Sequence, residues 1–193
     1  MEQTRELNPT ESLHIISDAI NKTRENIRGQ SFYYLLWGWI VTIASFSHYV
    51  LASNTNFKME YLPWLILIPI GWITSIAYSI KREKTKPYQT YFELFLKYLW
   101  IVLGISFILV VFISAKLKIN PTALVLLLAG IGTFISGLTL KFKPLIIGGL
   151  LLFIFSIISL FVDKSYILLI HTIAIIVGYL IPAYLLKNHS SNV

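Results

Sequence analysis

The stretch "SFYYLLWGWIVTIASFSHYVLAS", residues 31–53, carries no formal charge and a single histidine, His48, near its far end. Arg28 is the last charge before it and Lys58 the first after it. Wound as a helix at about 1.5 Å per residue, it exceeds the roughly 30 Å hydrocarbon core of a bilayer. A backbone placed in lipid must satisfy its own hydrogen bonds, so such a run is predicted to cross as an α-helix.

Working outward, similar uncharged runs recur at 61–80, 98–115, 119–140, 144–162 and 165–186. Each reaches the roughly 18 residues a crossing needs. The expected fold is therefore an all-α polytopic membrane protein with six transmembrane helices. Composition agrees: of 193 residues, 56% are hydrophobic and only 13% charged. A soluble domain carries about 25% charged residues.

The net charge of +7 reads as topology. With six spans, both termini share one side. That side holds Arg5, Lys22, Arg24, Arg28, Lys81, Arg82, Lys84, Lys86, Lys97, Lys141, Lys143 and Lys187. The other side keeps Lys58, Lys116, Lys118 and Lys164. The asymmetry makes the first side cytoplasmic by the positive-inside rule, with some attraction to anionic lipid. A nucleic-acid partner is not expected, because no groove-reading motif accompanies the charge.

The opening Met1, Glu2, Gln3 lacks the basic start and short apolar core of a cleavable signal, so the first span is expected to act as its own insertion signal. Glu2 also rules out a myristoylation motif, and the lack of cysteine removes disulfides, thiolate chemistry and palmitoylation.

Three segments are expected: a cytoplasmic arm (1–31), a six-helix transmembrane domain (32–187) and a short cytoplasmic tail (188–193). In the arm, Asn8, Pro9 and Glu11 form a helix opening. Leu13, Ile16, Ile20 and Ile27 recur at three- and four-residue steps, opposite Asp18, Lys22, Glu25 and Arg28, with Gly29 as the expected stop. This amphipathic helix lies on the inner leaflet or the bundle, or docks a cytoplasmic protein partner or a second copy of the chain.

Within the spans, small residues mark close helix approach. Gly71 and Ser75 lie in the second span, Ala129, Thr133 and Gly137 in the fourth, and Ala174 and Gly178 in the sixth. Pro69 is expected to kink the second span. Glu93 and Lys97 form an i,i+4 pair at headgroup level. The ends "AYSIK" (77–81), "GLTLK" (137–141) and "AYLLK" (183–187) repeat a small residue four places before a lysine. They predict three successive hairpins, 32–80, 95–140 and 144–186. Lysines reaching out of the bilayer produce much of the same pattern without a repeat.

Taken together, "SFYYLLWGWIV" (31–41), "SHYVL" (47–51), "GLTLKFKPLIIGG" (137–149) and "YLIPAYLLK" (179–187) resemble a family of uncharacterised six-span inner-membrane proteins of Gram-negative bacteria. The resemblance runs from "SLHIISDAI" (12–20) to the last of these. It implies a bacterial inner membrane and the six-span topology, and no activity.

The chemistry-bearing residues are few. The deep segments contain no Asp, Glu, Lys or Arg, so paired carboxylates and charged relays are missing. No metal-ligand spacing occurs, and the intramembrane serines are ordinary interhelical hydrogen-bonders. The chain is expected not to be an enzyme and to take no cofactor. It reads as an interaction, assembly or regulatory component of the membrane; the alternative is a small-solute channel or carrier, for which Pro69–Gly71 and Gly178–Pro182 would supply broken helices.

One polar site stands out. His48 and His171 both lie roughly 8–9 Å below the outer ends of their spans at 1.5 Å per residue. His48 follows the Gly38, Thr42, Ser45 stripe, and His171 shares a face with Ala174 and Gly178. They are expected to form a shared outer-face site with help from Tyr49 or Thr172, or else to be satisfied separately by a neighbouring Ser, Tyr or carbonyl.

Overall fold

The first apolar run belongs to a helix that begins well before it. In the computed structural model of the chain, α1 runs unbroken from Pro9 to Asn54, 46 residues. That is about 70 Å of helix at 1.5 Å per residue. The structure describes residues 9–54, 59–85 and 91–192, and the side chains of 29–53, 59–84 and 91–189.

Gly29, the stop expected from the sequence, therefore does not end the helix. It is buried, and the guanidinium of Arg82 lies where a Cβ at residue 29 would stand. Its small size permits a close crossing, and its helical neighbours on both sides keep the backbone α.

The remaining elements are α2 (Leu62–Thr85), α3 (Tyr91–Leu117), α4 (Thr122–Thr139), α5 (Lys143–Ile158), α6 (Ile167–Ile175) and α7 (Ile181–Asn192), with a π-helical turn, Ile176–Leu180, joining the last two. All the described secondary structure is helical. Five segments are long and apolar enough to cross a membrane: Gly29–Ser53, Leu62–Lys84, Tyr91–Leu117, Thr122–Thr139 and Ile167–His189.

The expected fifth span is shorter than its apolar run: α5 has 16 residues. Beyond Ile158 the chain winds on as turns, Ser159 N–H to the Phe155 carbonyl (2.9 Å), Leu160 to Ile157 (3.1 Å) and Phe161 to Ile158 (3.0 Å). The Ser159 hydroxyl donates to the Ser156 carbonyl (2.7 Å), and this local bond competes with helical continuation. In α2 the helix continues past the apolar run through Lys81–Thr85, so part of the expected inner loop is helical.

Two helix ends share one solution. At the end of α4, Phe142 N–H bonds the Gly137 carbonyl (2.9 Å) and Lys141 N–H bonds Leu138 (3.1 Å). At the end of α3, Ile119 and Lys118 do the same to Ser114 (3.0 Å) and Ala115 (3.4 Å). These are Schellman closures, and the left-handed position is held by lysine in both, with φ 52° at Lys141 and 55° at Lys118. Extended Phe142 and Pro144 then start α5.

Across the bundle the packing order is α2, α1, the α6–α7 segment, α5, α4, α3. Consecutive helices touch within each expected hairpin, yet the most extensive contact joins α4 to α5, across two of them. The core is Leu126, Leu145, Leu152, Ala174, Ile175 and Leu186, with Tyr34 and Tyr179 at its edge towards α1. Lipid tails are as apolar as these side chains, so the helices associate through close packing and interhelical hydrogen bonds.

Candidate functional site

The polar site around His48 and His171 is assembled by three helices. Ser45 and His48 are three residues apart on α1 and so share a face. Trp64 enters from the first turn of α2, where the Leu62 and Trp64 N–H groups close turns onto Met59 and Tyr61 (3.0 and 3.1 Å). His171 comes from α6 and is 3% exposed, so its hydrogen bond must be internal.

The two histidines do not bond each other. Trp64 Nε1–H donates to His48 Nδ1 at 3.1 Å. His171 Nδ1 lies 3.0 Å from Ser45 Oγ, and Ser45 Oγ donates to the Leu168 carbonyl at 3.0 Å. Trp64 stands between them, with its ring edge-on to His171 at a centroid distance of 6.0 Å. The site is therefore a His–Trp–His arrangement, with an indole as its common member.

The network assigns the protons. An indole N–H only donates, so His48 Nδ1 is an acceptor and its ring proton is on Nε2. The Ser45 hydroxyl has one proton, given to Leu168, so His171 donates from Nδ1. The His48 ring is thus neutral in this arrangement. Tyr49 is half-buried and makes no hydrogen bond in the site. Thr172 closes on its own helix, donating to the Leu168 carbonyl at 2.8 Å. No group of three or more His, Cys, Asp or Glu side chains stands together among the described residues. With Nδ1 of His48 occupied by the indole, the arrangement joins α1, α2 and α6 as a hydrogen-bonded rivet.

The small-residue positions lie at helix crossings. Ala129, Thr133 and Gly137 are buried along α4. A Cβ at Gly137 would meet the Ile146 backbone nitrogen at 2.6 Å. The Thr133 hydroxyl is buried without a hydrogen-bond partner, so its contribution there is its size. Ala174 is buried in the core, and a Cβ at Gly178 would strike Leu152 Cγ at 2.7 Å and the Gly148 carbonyl oxygen at 2.9 Å. Gly71 packs under Ile40 and Trp37, and Ser75 accepts from Trp37 Nε1 at 3.1 Å.

A second polar cluster lies at the lysine-rich end. Glu93 and Lys97 of α3 take partners on α2 rather than each other: Arg82 Nη2 reaches Glu93 at 2.6 Å, and Lys97 Nζ reaches Glu83 at 2.8 Å. The first pair is 18% and 12% exposed and passes over Gly29 of α1, tying three helices together. The second is half-exposed, and pairs of that kind contribute little.

Sequence reasoning did not link Trp64 to either histidine. The available signal was an indole donor at nearly the depth of His48 on the next span. Leu13, Ile16, Ile20 and Ile27 lie on the described backbone of α1, but their side chains are outside the described residues. No protein-family model, curated protein or solved structure matches the chain.

Proposed function

We propose that the chain is a six-span protein of a bacterial inner membrane, arranged as three hairpins with both termini in the cytoplasm. In this reading it is a non-enzymatic interaction, assembly or regulatory component. The observation that carries it is the continuity of α1. The candidate span begins at Gly29, so the helix extends about 30 Å beyond it, back to Pro9, at 1.5 Å per residue.

Along this extension the sequence places Leu13, Ile16, Ile20 and Ile27 at three-, four- and seven-residue steps, a pattern suited to helix-in-groove recognition by a cytoplasmic partner. The bonding of the deep polar groups supports the same reading. Ser45 and Ser156 each donate to a backbone carbonyl of another helix, and His171 bonds Ser45. These groups hold helices together and leave little to line a solute path.

Affinity capture from native membranes, comparing the full chain with one starting at Gln30, tests the proposal. The shortened chain should insert and lose its partner; an unchanged set of captured proteins would refute the role of the arm. Labelling single cysteines tests the topology. Asn56→Cys should react from outside and Thr85→Cys only after permeabilisation.

The second reading, a small-solute channel or carrier, draws support from the π turn at Ile176–Leu180 ahead of Pro182. Solute flux in proteoliposomes would carry it in place of the first.

A further inference from the structure

Between α5 and the second half of the last span runs an open apolar groove of about 330 Å³. Its walls are Pro144 and Ile147 on one side and Ile181, Pro182 and Leu185 on the other, with Gly148 at the floor. The groove follows from two local features. The π turn and Pro182 widen the last span, and Pro182 offers no N–H to the Gly178 carbonyl. That carbonyl instead lies against Gly148, where a Cβ would collide with it.

Cations stand at one mouth of the groove. Lys143 is four residues before Ile147 and therefore on the same face of α5. Lys141 is in the turn just before it, held in the left-handed conformation of the Schellman closure. Both are exposed, and His189 stacks on Phe142 beside them at 5.5 Å. Among the residues whose side chains are described, the acids at this end are Glu83 and Glu93, bound to Lys97 and Arg82 by α2 and α3.

The geometry points to a binding site for one anionic glycerophospholipid, with an acyl chain in the groove and its phosphate on Lys141 and Lys143. A purely apolar channel that ends in a pair of cations matches the two halves of such a molecule. A helix is a poor fit. One of about 10 Å diameter, lying along the roughly 10 Å from Pro144 to Leu151, would need more than about 700 Å³. A second copy docked here about an axis along the membrane normal would set both pairs of lysines at one depth, facing each other. The lipid neutralises that charge.

Native mass spectrometry of the full chain tests the site, with added phosphatidylglycerol or phosphatidylcholine of identical acyl chains. The native sequence should retain one phosphatidylglycerol in preference to phosphatidylcholine. Lys141→Gln with Lys143→Gln should reduce that preference about fivefold per lysine removed. The same change at Lys116 and Lys118, at the opposite end, should leave it intact. Ile147→Trp fills the groove and keeps the lysines, and should also release the lipid. Leu185→Trp repeats this block from the other wall, and both positions are exposed enough to accept the ring without disturbing the core. Equal retention of the two lipids by the native sequence would overturn the site. So would loss in the lysine variant with unchanged retention in both tryptophan variants, since the lysines would then act as diffuse surface charge.

Discussion

Two seams of this bundle are closed in opposite ways. Between α4, α5 and the last span the backbones approach directly. A Cβ at Gly137, Gly148 or Gly149 would meet the backbone of Ile146, Gly178 or Phe134. Between α1, α2 and α3 the space is wide and filled with rings. Trp37 is edge-on to Trp72 at 5.7 Å, and Trp72 covers Gly104 of α3. Deeper in, Tyr34, Trp100 and Tyr179 pack on one another at 5.1–6.1 Å. In lipid, where burial gives little drive for association, the first seam gains from many short contacts and the second from a few large ones. Backbone cannot retreat and a ring can turn, so the two should respond differently to the same added methyl group.

The contrast would break first at Gly148. Gly148→Ala drives a methyl group into the Gly178 carbonyl, and we expect a loss of about 3 kcal/mol, at the upper end for overpacking. Thermal unfolding in detergent measures it; a change below about 1 kcal/mol would show that α5 can slide away from the π turn.

Arg82 comes next, because its pair with Glu93 joins the ring-filled seam at the lysine-rich end. Arg82→Ala takes this ion-pair partner from the largely buried Glu93, at a cost of about 2 kcal/mol after allowing for its partial exposure. Exchanging the charges, Arg82→Glu with Glu93→Arg, should recover part of the loss. No recovery would mean that the guanidinium's passage over Gly29 matters more than the pair.

Gly104→Ala sharpens the comparison directly. Its methyl group would meet Trp72 Cη2 at 2.9 Å, a longer contact than the backbone clashes of the first seam, and against a ring at the edge of the bundle. The expected cost is about 1 kcal/mol or less. A cost equal to that of Gly148→Ala would end the distinction between the seams.

The smallest effect belongs to the His48–Trp64 rivet. His48→Ala with Trp64→Phe should show a coupling of about 0.6 kcal/mol, typical of polar contacts between membrane helices. The bond needs an unprotonated Nδ1, so it is present at higher pH and lost when acid charges the ring. Tryptophan emission at neutral pH should shift in His48→Ala, where the Trp64 indole has lost its acceptor. His48→Ala and His171→Ala should be closer to additive, because each ring has its own partner.

The sequence alone was enough for the class of fold and for most span limits. Length and apolarity are local demands that lipid makes on each helix separately, so "SFYYLLWGWIVTIASFSHYVLAS" answers them without reference to any other segment. It was misleading where a local signal had two meanings. Gly29 reads as a terminator, yet its use is to let Arg82 pass, and a missing side chain looks the same in either role. Which groups meet was decided only by the tertiary structure. His48 with Trp64, Arg82 with Glu93, and Gly148 with Gly178 each depend on the rotation and depth of two helices at once. Rotation and depth are set by the packing of the whole bundle, and no segment of the chain carries them by itself.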